Sequence, residues 1–153
     1  AFQHGLVYFI VLDSGEDKPD SDIEYSGLVN FDPYRIEQKN WLQKIVKSPE
    51  FQNATYRIVF MHIPLYEGGT WYGALKNNEL WAPILNKANI DVMFCGHTHK
   101  YAFVEKGKYD NTFPVIIGDN DTIMHTDVDE NQISVKIQKP DGSVIDTRIF
   151  SSK

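Results

Sequence analysis

The stretch Ile90-Asp91-Val92-Met93-Phe94-Cys95-Gly96-His97-Thr98-His99-Lys100-Tyr101 decides how this chain is read. Ile90–Phe94 is a short apolar run that predicts a buried strand, and it leads directly into a glycine and two histidines. Upstream, Glu79–Ala88 carries Leu80, Trp81, Ile84 and Leu85 at helical spacing and predicts an amphipathic helix. Before that, Tyr56–Met61 is mostly β-branched or aromatic and predicts a strand, closed by His62-Ile63-Pro64. Asp32-Pro33 is a helix start, with Asp as N-cap and Pro at the first helical position. Tyr34, Trp41, Leu42, Ile45 and Val46 follow at helical spacing, up to a stop at Ser48-Pro49. Phe2–Leu12 is a first strand-like run broken by Gly5, either a hairpin or a strand entered through a turn. The order strand, helix, strand, helix, strand predicts an α/β architecture with a parallel or mixed sheet.

Loops separate these elements. Asp13-Ser14-Gly15 and Glu16–Asp22 are polar and contain Pro19, so they read as one loop. Glu67-Gly68-Gly69-Thr70-Trp71-Tyr72-Gly73 reads as a flexible loop carrying two large aromatics. Beyond the histidines the pattern changes. Phe113–Ile117, Ile123–His125, Gln132–Gln138 and Ser143–Phe150 are strand-like and separated by turns. Ile133, Val135 and Ile137 alternate with polar residues, as in a half-buried antiparallel strand. The expected organisation is a βαβαβ part over 1–112 and an antiparallel β tail over 113–153, within one domain.

Composition narrows the function classes. With 153 residues, 42% of them hydrophobic, the chain is long enough to build a core. A net charge of −6 carries no signal for nucleic-acid binding by phosphate neutralisation. No apolar run approaches the roughly 20 residues of a membrane-spanning helix. The single cysteine, Cys95, excludes an internal disulfide framework and a cysteine-rich zinc module. The chain opens without an initiator Met, almost directly into a strand, which is expected of a truncated or processed protein.

Histidines carry the chemistry. His62 follows one strand, and His97 and His99 follow another, where ligands gather at the carboxyl ends of α/β sheets. In an extended segment, His97 and His99 at i and i+2 point to one side. Three imidazoles at one sheet end predict a site for zinc, iron or manganese.

Met61-His62-Ile63-Pro64-Leu65-Tyr66 and Gly96-His97-Thr98-His99-Lys100-Tyr101 resemble the last two motifs of the calcineurin-like metallophosphoesterases, in their purple-acid-phosphatase-like branch. Phe9-Ile10-Val11-Leu12-Asp13-Ser14 and Gln38-Lys39-Asn40-Trp41-Leu42 resemble two further stretches of that branch, in consistent order over about residues 1–125. The resemblance implies the C-terminal half of a four-layer α/β/β/α sandwich. It implies phosphoester hydrolysis at a site of two ions (Fe, Zn or Mn), with His62 and His97 serving one and His99 the other. The family's three upstream motifs, which bring the bridging carboxylate and other ligands, are not matched here. The expectations are therefore a C-terminal portion that lacks its N-terminal partner segment, is inactive alone and binds metal weakly. A homodimer through an exposed sheet edge and an exported location, the latter by analogy, complete them.

Cys95 alternates with His97 and His99, so a Cys/His zinc site competes with a buried strand residue, the commoner state of a free cysteine. Trp71 and Tyr72 are candidates for stacking on a substrate, and Tyr66 and Tyr101 for supporting the site. Asp13 is expected to cap a turn. Asp119, Asp121, Asp127, Asp129 and Glu130 lack the order of an EF-hand loop and read as a solvated acidic face. His4 and His125 read as surface residues. Two further functions stay open: a binding module for carbohydrate or peptide, and a small zinc-stabilised domain.

Overall fold

A computed structural model describes residues 1–152. Six strands form the main sheet: β1 (Phe2–His4), β2 (Val7–Val11), β3 (Tyr56–Phe60), β4 (Val92–Cys95), β5 (Ala102–Val104) and β6 (Val115–Ile117). Their order is β1-β2-β3-β4-β6-β5, with β2, β3, β4 and β6 parallel and the two outer strands antiparallel to their neighbours. Three further strands, β7 (Ile123–Val128), β8 (Gln132–Gln138) and β9 (Val144–Ser151), make a separate antiparallel sheet. The helices are α1 (Phe31–Ile45), α2 (Pro49–Asn53) and α3 (Tyr72–Leu85).

Strand periodicity of two sorts the core onto the two faces of the main sheet. Ile10, Val59, Met93 and Ile117 face the helices and pack with Leu42, Phe51, Trp81 and Leu85. Val7, Ile58, Val92 and Ile116 face the second sheet and pack with Ile133, Val135 and Ile137. The layers are thus helix, sheet, sheet, in the α/β class with a mixed sheet. Gly5, with φ +54°, makes the turn that returns β1 onto β2, so the first apolar run is a hairpin.

The expected boundary at 112 does not hold. Val115–Ile117 joins the main sheet parallel to β4, because three fully buried branched residues fit a central strand and not a half-exposed one. The tail sheet starts only at Ile123.

Helix ends also differ from expectation. Asp32 does not cap α1; both carboxylate oxygens of Asp20 accept the Phe31 and Asp32 amides, at 2.9 Å each. Ser48 does not merely stop a helix but caps the next one, accepting from the Phe51 amide at 3.2 Å. Helix α3 begins at Tyr72, seven residues before the predicted start, so the last two residues of the expected flexible loop, Tyr72 and Gly73, are helical.

Candidate functional site

Parallel strands β3 and β4 end side by side, and the segments after them carry His62 and His97–His99. The Gly96 amide donates to the His62 carbonyl at 3.0 Å and ties the two segments together. Gly96 has no side chain between them: a Cβ there would lie 3.5 Å from His62 Nδ1. The His62 and His97 rings stand edge to face, with centroids 5.2 Å apart. His62 is exposed and His97 half-buried at the end of the sheet. His62 also lines an apolar groove of about 520 Å³ with Val11, Phe60, Met61, Phe94 and Met124.

His97 and His99 do not lie on one side of an extended strand. Both take left-handed backbone angles, φ +74° and +56°, so the alternation expected after β4 is lost. The same break removes Cys95 from the pattern. Its side chain lies in the helix-facing core, 8% exposed, and burial pushes the thiol pKa well up, away from the thiolate a zinc ligand requires. Among the described residues no group of three His, Cys, Asp or Glu side chains converges closely enough to hold an ion. The donor chemistry suits a borderline cation, but the set the chain gathers is a partial one.

The loop from Asp13 to Asp17, expected only as a connector, is built into the site. Ser14, buried, accepts the Ile63 amide on its hydroxyl at 3.1 Å, next to His62. Arg35, 1% exposed, donates from Nε and Nη2 to the Ser14 carbonyl at 3.2 and 3.1 Å. Its Nη2 also reaches the Glu16 carbonyl, and Asn77 donates to the Ser14 carbonyl at 3.0 Å. Gln38 pairs with the backbone of Asp13 in both directions, at 2.8 and 2.9 Å. Asp13 caps its own turn by accepting the Gly15 amide at 3.0 Å, as expected of it. This loop carries Asp17 to His97, with Oδ1 of Asp17 3.1 Å from Nε2 of His97. Sequence reasoning missed Ser14, Asp17, Arg35 and Asn77. The available signal was a helical arginine and asparagine on faces that pack inward.

Tyr66 is buried, stacks on Tyr109 with centroids 5.9 Å apart, and accepts from Asn86 Nδ2 at 3.0 Å. Burial pushes its phenol pKa up to about 12. Tyr101 donates to Asp146 of β9 at 2.6 Å and so joins the two sheets; burial, then that bond, pushes it up to about 12. Tyr72 donates to Asp32 at 2.8 Å, and Trp71, just before it, is 58% exposed. Of the acidic turn residues, Asp119 and Asp129 accept backbone amides within their own turns.

The calcineurin-like phosphoesterase family matches residues 4–101. The Arabidopsis thaliana protein named "Probable purple acid phosphatase 20" is 28% identical over 92 residues, which are 56% of this chain and 22% of that protein. Among solved structures, GAP50, titled the anchor in the inner membrane complex of Plasmodium, superposes with a TM-score of 0.70 at 19% identity, over 96% of this chain and 50% of that one. Purple acid phosphatase PPD1 from yellow lupin (Lupinus luteus) seeds superposes with a TM-score of 0.68 at 16% identity, over 98% of this chain and 32% of that one. The chain thus spans a fifth to a half of the length of these relatives, and the two structures share its fold. By its matched sequence and its layered sheets, the chain belongs to the calcineurin-like phosphoesterase family and is similar to purple acid phosphatases.

Proposed function

We propose that this chain supplies the histidine side of a metal-dependent phosphoester hydrolase site, and that hydrolysis needs donors beyond those its described residues gather. The observation that carries this reading is the His62–His97 pair, with ring centroids 5.2 Å apart at the ends of adjacent parallel strands. Imidazole nitrogen suits zinc, iron and manganese, and His99 is the third donor, assigned to a second ion. Cations of this kind, when bound, polarise phosphoryl oxygens and lower the pKa of a coordinated water.

The chain's own groups orient and enclose. The Gly96–His62 backbone bond and the Ser14 hydroxyl on the Ile63 amide hold the His62 segment in place. Trp71 offers an exposed ring to the organic part of a phosphoester, and Tyr72, fixed on Asp32, holds the start of α3 beneath it. Tyr66 and Tyr101, with their hydroxyls engaged, support the histidine segments rather than touch substrate.

The test pairs binding with turnover. The metal-stripped chain is titrated with Zn²⁺ or Mn²⁺ alone, and p-nitrophenyl phosphate hydrolysis is followed at saturation. Weak cation binding that falls tenfold or more in His62→Ala and His97→Ala is expected, with no hydrolysis above the metal blank. Affinity untouched by both substitutions overturns the histidine assignment, and hydrolysis by the chain alone overturns the need for further donors.

A further inference from the structure

Helices α1 and α3 pack side by side, and a groove of about 690 Å³ opens between their C-terminal halves. Its floor is apolar. Val46, Leu80 and Ile84 are half-buried there and pack onto the helix-side core, which fixes them. Its rim is basic, with Lys39 and Lys47 on the α1 side and Lys87 on the α3 side. The chain runs from α1 through α2 to the start of β3, and from α3 to the start of β4, whereas the histidines follow the ends of those strands. The groove therefore lies at the opposite end of the sheet from the histidine site.

Charge in this groove runs against that of the whole chain. The protein carries a net −6, yet the lining holds three lysines and a single acid, Glu79. Lys76 already holds that carboxylate at 2.8 Å. Among the described residues Lys39, Lys47 and Lys87 form no ion pair, whereas Lys18, Lys76 and Lys108 each hold a glutamate. A cation beyond the last turn of a helix is favourable by itself, which accounts in part for Lys47 and Lys87 but not for Lys39 within α1.

Spacing and shape select the ligand. Lys39 and Lys47 stand about 12 Å apart along the helical rise. A compact anion reaches one of them at a time, so the ligand that meets all three lysines carries negative charge along its length and on both flanks. Bilayer surfaces take apolar side chains that protrude, and here the apolar side chains are recessed between lysines. An amphipathic helix fits both features. Its apolar stripe at i, i+3, i+4 and i+7 enters the groove, and carboxylates on either side of the stripe meet the rim. We infer that the groove between α1 and α3 docks an acidic amphipathic helix of a partner protein, its apolar stripe on Val46, Leu80 and Ile84 and its carboxylates on Lys39, Lys47 and Lys87.

The 153-residue chain is titrated against a labelled peptide about five helical turns long, with Leu along one stripe and Glu on both flanks, and binding is read by fluorescence anisotropy. Saturable binding that weakens with added salt is expected. Lys47→Glu with Lys87→Glu is expected to weaken it tenfold or more. Lys136→Glu with Lys139→Glu, at exposed positions in and beside β8, changes the net charge equally and is expected to leave it within twofold. A peptide with Ser in place of Leu is expected to bind at least tenfold more weakly, and urea midpoints confirm that the variants are folded. Absence of saturable binding by the Leu/Glu peptide overturns the assignment. Equal losses in the two lysine pairs overturn it in favour of net charge, and equal affinity for the Ser peptide removes the apolar floor from it. Phosphatidylserine vesicles that bind the chain through Lys47 and Lys87, while the peptide does not, overturn it in favour of a membrane surface.

Discussion

Arg35 Nη2 donates to the Glu16 carbonyl oxygen at 2.6 Å, from a side chain only 1% exposed. The same guanidinium reaches Ser14, Asn77 and Asp32, so one buried cation on α1 organises the loop that borders the histidines. Replacing it leaves two loop carbonyls without a strong donor. Arg35→Ala is expected to lower stability by about 3–5 kcal/mol, read by urea denaturation. Arg35→Lys, with a single point donor, is expected to recover only part of that loss. A change under 1 kcal/mol in Arg35→Ala would show that the loop stands without its clamp.

Gly73 presses against the same loop. A Cβ at this position would lie 2.1 Å from the Glu16 carbonyl oxygen, a backbone atom that cannot step aside alone. Gly73→Ala is therefore expected to cost about 3 kcal/mol, as an overpacked site does. Gly107→Ala is the control: nothing lies within 4 Å of its Cβ, and only its φ of +82° opposes the change. About 1 kcal/mol is expected there. Equal losses at the two positions in thermal melts would sink the packing explanation.

Base titration should separate folded from unfolded tyrosines. Burial raises Tyr66 to about 12, and burial with the Asp146 bond raises Tyr101 to about 12, above the usual value of 10. The folded chain holds these protons where the unfolded chain releases them. The stability they contribute is present in full below pH 10 and is lost as pH rises through about 12. Phenolate absorbance at 295 nm in the native chain should lag that of the urea-unfolded chain over this window. Coincident curves would mean that both hydroxyls are open to solvent.

The face of the main sheet toward the second sheet carries an aromatic row that the three tail strands do not fully cover. Phe2 stacks on Phe9 at 5.0 Å, Phe9 on Phe60 at 6.2 Å and Phe60 on Phe94 at 5.2 Å, and Phe2 and Phe60 are exposed. With β1 as a sheet edge beside it, self-association is the expected outcome at high concentration. Light scattering should give a mass above 17.6 kDa that falls in Phe60→Lys. A mass that stays at one chain across the concentration series would count against it.

Much of the fold was legible because burial writes itself into residue patterns. Tyr56–Phe60 and Val92–Cys95 announced central strands by their apolar runs, and Leu42 and Trp81 marked the inner faces of two helices. Val115–Ile117 was misassigned because an apolar triplet does not say which sheet will bury it. The early start of α3 was hidden by Gly68 and Gly69, which read as loop, while Tyr72 found in Asp32 a partner far along the chain.

The histidine site divides along the same line. Sequence by itself determined that His62 and His97 follow adjacent strands, because strand ends in an α/β sheet converge by topology. Tertiary structure alone decided that His97 and His99 leave the extended path, that Cys95 turns into the core, and that Asp17 meets His97. The reason is physical. Strand burial depends on neighbours one or two residues away, whereas the Asp17 loop is held by a guanidinium and a carboxamide from two different helices. A local pattern records the first kind of constraint and carries no trace of the second.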